Sequence, residues 1–245
     1  MGKIEDGYLR GLVGSVITRK VGDTNVVQGH PRFRLKQSEA TKAAGIDFGT
    51  ASRCAAMIRY GFSSLILGNQ DGGMINRLNA QVLRAMRANR SQQLGTLQLA
   101  GGKLHRLIDF QFNAKCHLQD YLFVDVEATY DPVEGVAIRI PAFHSERDLL
   151  HVGRATHCSI RLRVVAFDFA DPSKKVLGGM EHEIPLRTGD KEVLEQKRLF
   201  KISEPAGTIV LVGVGLQFLY QAGSRFQLLN SKELNPAAIV AAFVV

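Results

Sequence analysis

The stretch TIVLVGVGLQFLY, residues 208–220, decides the fold. Gly213 and Gly215 in LVGVGLQF resemble the opening of a dinucleotide-binding loop. The place of the third glycine is held by Phe218, however, and no helical pattern follows. The stretch therefore reads as a β-strand whose glycines sit at a bulge or a close contact with the sheet.

The same reading extends outward. LFVDVEATY (122–130) places Leu122, Val124 and Val126 on one face and Asp125 and Glu127 on the other; VAIRIPAF (136–143), SIRLRVVAFDF (159–169) and AAIVAAFVV (237–245) are further strand-like runs. The turn-rich pieces YDPVEG, ADPSKK and RTGDKE separate them. Short strands at this spacing predict an antiparallel β-sandwich over residues 116–245.

Upstream the pattern changes. GLVGSVITRK and TNVVQGHP, joined by a turn at Gly22 and Asp23, predict an N-terminal β-hairpin. Pro31 ends it, and Ser38 and Thr41 are N-cap candidates for a helix running towards Leu67, interrupted by glycines. A second helix from Met74 to about Arg90 carries Ile75, Leu78, Val82 and Met86 on one stripe. Residues 1–115 are accordingly read as a basic hairpin-and-helix module, and the fold class as α+β.

Residues 1–106 hold sixteen Lys and Arg against six Asp and Glu, while the remainder is slightly acidic, so an electrostatic partner should meet the first half. The candidate polyanion or subunit contacts are Arg32, Arg34 and Lys36, which flank Phe33 and Leu35, together with Arg77, Arg84, Arg87 and Arg90 on the second helix. Three cysteines cannot all pair within the chain and suit a reducing compartment. The N-terminus lacks the apolar run of a signal peptide, and the longest strongly apolar run, nine residues, is too short to span a bilayer. The expectation is a cytoplasmic protein without membrane insertion.

No catalytic motif is present. Cys116-His117 and His157-Cys158 could each offer one ligand to a common metal ion, because adjacent strand residues face opposite ways; the cysteines read better as small core residues. Glu181, His182 and Glu183 lack zinc-protease spacing, and Asp125 with Glu127 read as acids on the wet face of a sheet. Neither an enzyme, a cofactor nor a metal site is expected. The bare apolar segment with Ile239, Val240, Phe243, Val244 and Val245 is a candidate assembly strand, to be added to a neighbour's sheet or buried in its own. Deleting residues 237–245 separates these two alternatives.

Met1-Gly2-Lys3-Ile4 with Gly7, the run Gly11-Leu12-Val13-Gly14-Ser15-Val16, a basic Arg and Pro segment, and the helix start Ser38-Glu39-Ala40-Thr41 follow in order. Asn79 and Ala80 in a short helix, LQLAGGKL and the late strands complete the pattern. This combination resembles a domain-of-unknown-function family of Bacteroidota proteins, with Lys42 and Ala43 standing where that pattern has Gln and Arg. Similar hairpin-then-helix openings occur in phage and prophage structural proteins. The resemblance implies an architectural role and no catalytic residues. The expected function is a non-enzymatic structural protein that self-associates as a homo-oligomer into a ring, tube or filament; nucleic-acid binding through the basic first half is the alternative.

Overall fold

The computed structural model describes residues 2–30, 36–169, 176–187, 192–202 and 204–245. Two compact units emerge, Met1–Lys42 and Ala43–Val245. In the first, β1 (Lys3–Glu5), β2 (Tyr8–Val13), β3 (Val16–Val21) and β4 (Thr24–Gly29) form an antiparallel meander in the order β1-β2-β3-β4. The expected hairpin is thus the second half of a four-stranded sheet. Each connection has two residues. Asp6 and Gly7 both take positive φ, 51° and 78°, as the type I′ hairpin turn requires.

The second unit opens with helix α1 (Glu39–Gly61), whose first residues belong to the preceding unit. Ser38 caps it, its hydroxyl accepting the Thr41 N–H at 3.2 Å. The helix stops at Gly61, and α2 (Ser63–Ile66) and α3 (Met74–Arg87) follow. Then come β5 (Glu127–Asp131), β6 (Gly135–Ile140), α4 (Ser145–Asp148), β7 (His157–Phe167), β8 (Gly178–Arg187), β9 (Gln196–Phe200), β10 (Ile209–Ala222), β11 (Arg225–Leu228) and β12 (Ala237–Val244). The fold class is α+β with antiparallel sheets. Strand β5 begins at Glu127, five residues later than the alternation suggests; Leu122 instead makes an isolated bridge to Leu149.

One five-stranded sheet runs β11-β10-β7-β8, with β12 also on β10; a three-stranded sheet runs β5-β6-β9. Alternate residues sort the larger sheet's two faces. Ile160, Leu162, Val164, Val210, Val212, Val214 and Leu216 pack against Val136, Ile138, Ile140 and Phe200 of the smaller sheet. Val165, Phe167, Ile209, Leu211 and Ile239 pack against Ile58, Phe62, Leu78 and Met86 of the helical layer. The strand quoted at the outset is therefore buried on both faces, which explains its unbroken apolar character.

The glycines of that strand make room for neighbouring elements. A Cβ on Gly213 would lie 2.6 Å from Phe62 Cε1, whereas one on Gly215 would press mainly on the neighbouring strand, 3.3 Å from the Ala237 Cβ. Gly61 does the same from the helical side, where a Cβ would fall 2.7 Å from Phe167 Cζ. The bulge is present too, between the pairs Val212–Ala241 and Gly213–Ile239, with Val240 as the extra residue of β12.

The helices and the strands beyond residue 115 share one core, so the compact units meet at Lys42 and Ala43, whereas the sequence suggests a boundary near residue 115. Asp47, fully buried in α1, binds the layer together: its carboxylate accepts the N–H groups of Gly95, at 3.0 Å to each oxygen, and of Leu97 at 3.2 Å. Asp47→Ala would orphan those donors and should cost about 2 kcal/mol, read as a lower urea midpoint with an unchanged slope. Asp47→Asn keeps one carbonyl acceptor and should lose less; equal midpoints for Asp47→Ala and the parent would refute this role.

Candidate functional site

The N-terminal sheet has no core of its own. From Gly2 to His30, Thr18 is the only buried residue, and its hydroxyl is spent on the Gly11 carbonyl at 3.2 Å. Ile4, Leu12, Val13, Val21 and Val27 stand exposed, Ile4 at 77% and Val27 at 61%. A four-stranded sheet gains its stability from a covered apolar face, and within this unit no layer covers either side.

Its two edges differ. Strand β1 is three residues long and charged, with Glu5 bound to Arg10 at 2.7 Å and to Lys3 at 3.6 Å. Short charged edges discourage pairing with other chains. Strand β4, TNVVQG, has six residues and no charge, and its outer edge pairs with no strand among the described residues. Sequence reading recognised the hairpin and missed this edge, because edge status follows from the strand order.

The C-terminal segment lies in the chain's own sheet. Strand β12 pairs with β10 over seven positions, and Ala237, Ala238, Ile239 and Ala241 are buried. Val240 is half-buried at the bulge, the Phe243 ring lies tilted 6.0 Å from the Tyr130 ring, and Val245 donates its N–H to the Thr208 carbonyl at 2.9 Å. Val244 alone of the named residues is exposed, at 49%. Half of the outer edge of β12 is also taken: the Asp109 N–H reaches the Ile239 carbonyl at 2.8 Å, and the Ile239 N–H the Phe110 carbonyl at 3.1 Å.

The cations divide into three groups. Arg32 and Arg34 lie outside the described residues. Lys36 is exposed just ahead of the Ser38 cap. On α3, Arg77 turns inward: it pairs with Asp71, donates to the Gln111 carbonyl at 3.0 Å and lies 5.2 Å from the Phe110 ring centre. Burial opposes ionisation of Asp71, yet the Ala114 N–H, Arg77 and the Gly73 N–H together hold its carboxyl below the usual range. Arg77 is thus a structural pin, and Ile75, expected on the apolar stripe, is 45% exposed.

Arg84, Arg87 and Arg90 are exposed, and the fold adds neighbours that the sequence does not suggest. A 3-10 turn, Leu104–Leu107, is fastened to α3: the Lys103 N–H donates to the Ala85 carbonyl at 2.9 Å, and the Gln81 amide donates to the Arg106 carbonyl. Lys103, His105 and Arg106 thereby join the arginines of α3. One signal was available in sequence: residues 72–108 contain six Lys and Arg and no Asp or Glu.

The remaining motifs are structural. Cys116 is buried and accepts the Asn235 N–H at 3.1 Å; Cys54 and Cys158 are buried too, which pushes their thiols up to about 11 and about 12. Glu181 and Glu183 lie on β8 directly opposite Arg163 and Arg161 of β7, making a cross-strand ion-pair ladder. Asp125 is exposed, and Glu127 pairs with Arg139 at 2.9 Å. Among the described residues, no three His, Cys, Asp or Glu side chains cluster as a metal site, and no helix is long and apolar enough to cross a membrane. No family model, curated protein or solved structure matches this chain.

Proposed function

We propose that this protein is a non-enzymatic structural protein that self-associates through its N-terminal sheet. One observation carries the reading: a four-stranded sheet with a single buried side chain, Thr18, ends in an uncharged six-residue edge, β4, that pairs with no strand among the described residues. Two β4 edges can pair antiparallel about a two-fold axis, and the absence of charge in TNVVQG means that no like charges meet. Such an isologous contact closes at two copies. The exposed Val13 and Val27, which the strand register places on one face of the sheet, supply the second, face-to-face contact through which pairs stack into a larger assembly. An architectural role of this kind accords with the phage-like opening implied by the family resemblance.

The test is Val26→Lys with Val27→Lys on β4, which places gatekeeper charges on the edge without touching the second unit. Light scattering after size-exclusion chromatography, with negative-stain images, should show the parent as an assembly and the variant as a monomer of unchanged circular dichroism. A parent chain that is monomeric at every concentration tested would overturn the proposal.

A further inference from the structure

We infer that the α3 face of the second unit, with the 3-10 turn fastened to it, binds the phosphate backbone of nucleic acid without reading its sequence. This inference is independent of assembly through β4. The site comprises Arg84, Arg87 and Arg90, brought beside Lys103 and Arg106. All five side chains are exposed, and none has a carboxylate partner among the described residues. By contrast Arg77, on the same helix, is bound to Asp71 and the Gln111 carbonyl and is not part of the face.

Solvated helix faces usually mix charges of both signs, which lowers their self-repulsion. Here the whole span from Gly72 to Ile108 lacks an acid, so the like charges of α3 and of the turn are brought together without a carboxylate on either segment; the exposed Asp109 follows directly after the turn. Such a field is relieved by a polyanion, and release of its counterions supplies the binding free energy. Arg84 and Arg87 lie one turn apart, about 4.5 Å along the axis, a step comparable with the spacing of successive phosphates. The same span contains no Phe, Tyr or Trp, so base stacking is not available to it. Contact is then to phosphate alone, which predicts equal affinity for unrelated sequences. The same lack of aromatic anchors disfavours a membrane surface as partner, because an interfacial helix needs a bulky apolar face beside its cations.

The experiment is fluorescence anisotropy of a labelled duplex of arbitrary sequence, titrated with the full chain between 50 and 200 mM salt. Five phosphate contacts give a slope of log K against log salt near −4.5, a loss of roughly 500-fold across that range. Arg84→Glu with Arg87→Glu and Arg106→Glu should lower affinity at least tenfold at 50 mM salt and flatten the slope by about three. The control is Lys201→Glu with Arg225→Glu and Lys232→Glu, an equal change of net charge at exposed positions elsewhere. Retained binding in the control and loss in the α3 variant support the inference. Equal losses in both would show a response to net charge alone and overturn it, as would no binding by the parent at 50 mM salt. A parent that binds vesicles of anionic lipid more tightly than the duplex, with the same residues required, would also overturn the assignment to nucleic acid.

Discussion

Deleting residues 237–245 will unfold the second unit, and the truncated chain will show no cooperative urea transition from it. Strand β12 pairs with β10 from Ile209 to Gly215, a segment buried on both faces. Its loss would strip Ala237, Ala238, Ile239 and Ala241 from the two apolar cores and leave one side of β10 without a partner from Ile209 to Gly215, beyond the reach of β11. Each orphaned buried backbone group costs about 1–3 kcal/mol, and several such losses exceed the 5–15 kcal/mol by which a domain is usually stable. Far-UV circular dichroism and urea titration read the result. A truncated chain that kept the parent's transition would show that β12 adds nothing within its own chain and is free to be exchanged between copies.

Gly213→Val should destabilise by at least about 3 kcal/mol, at the upper end of overpacking costs, because the added carbons meet a ring that cannot retreat. Phe62 is fully buried, with Phe112 at 5.5 Å and Phe167 at 6.4 Å between ring centroids. Strand β10 is equally fixed between β7 and β12. The specific cause is tested by a double-mutant cycle with Phe62→Ala, which opens space where valine needs it. The two changes together should cost less than the sum of each alone; strict additivity would place the strain elsewhere.

Much of the fold was legible because its signals are local. The two-residue turn at Gly22 and Asp23, the Ser38 cap and the unbroken apolar run of β10 each depend on neighbours within a few positions. Strand β8 was not legible: GGMEHEIPLR carries acids and Pro185, features that argue against a strand. It is an edge strand, where proline costs little, and its acids are neutralised by Arg161 and Arg163 some twenty residues upstream. Asp47 was invisible for a like reason, since its backbone partners lie at Gly95 and Leu97.

The candidate surfaces divided along the same line. Arg84, Arg87 and Arg90 were found from helical spacing, whereas Lys103 and Arg106 needed the turn to be folded back on α3. Arg77 has the same spacing as its neighbours, and only its contacts with Asp71 and Phe110 reveal that it serves the core. Likewise the uncharged composition of TNVVQG is plain in the sequence, but that its edge stays open depends on which strand comes last in the sheet.

The two units also differ in how far along the chain their contacts reach. Every strand pair of the meander joins consecutive strands through a two-residue turn, as in Leu12–Ile17 and Thr18–Val27. Strand β10 waits for partners far away: β7 begins at His157, and the ring that lies over Gly213 belongs to Phe62. Closing long loops slows folding, so the meander should form quickly and the second unit late. During that interval TIVLVGVGLQFLY is uncovered and is the stretch most prone to aggregation, a vulnerability of the folding chain that the finished sheet conceals.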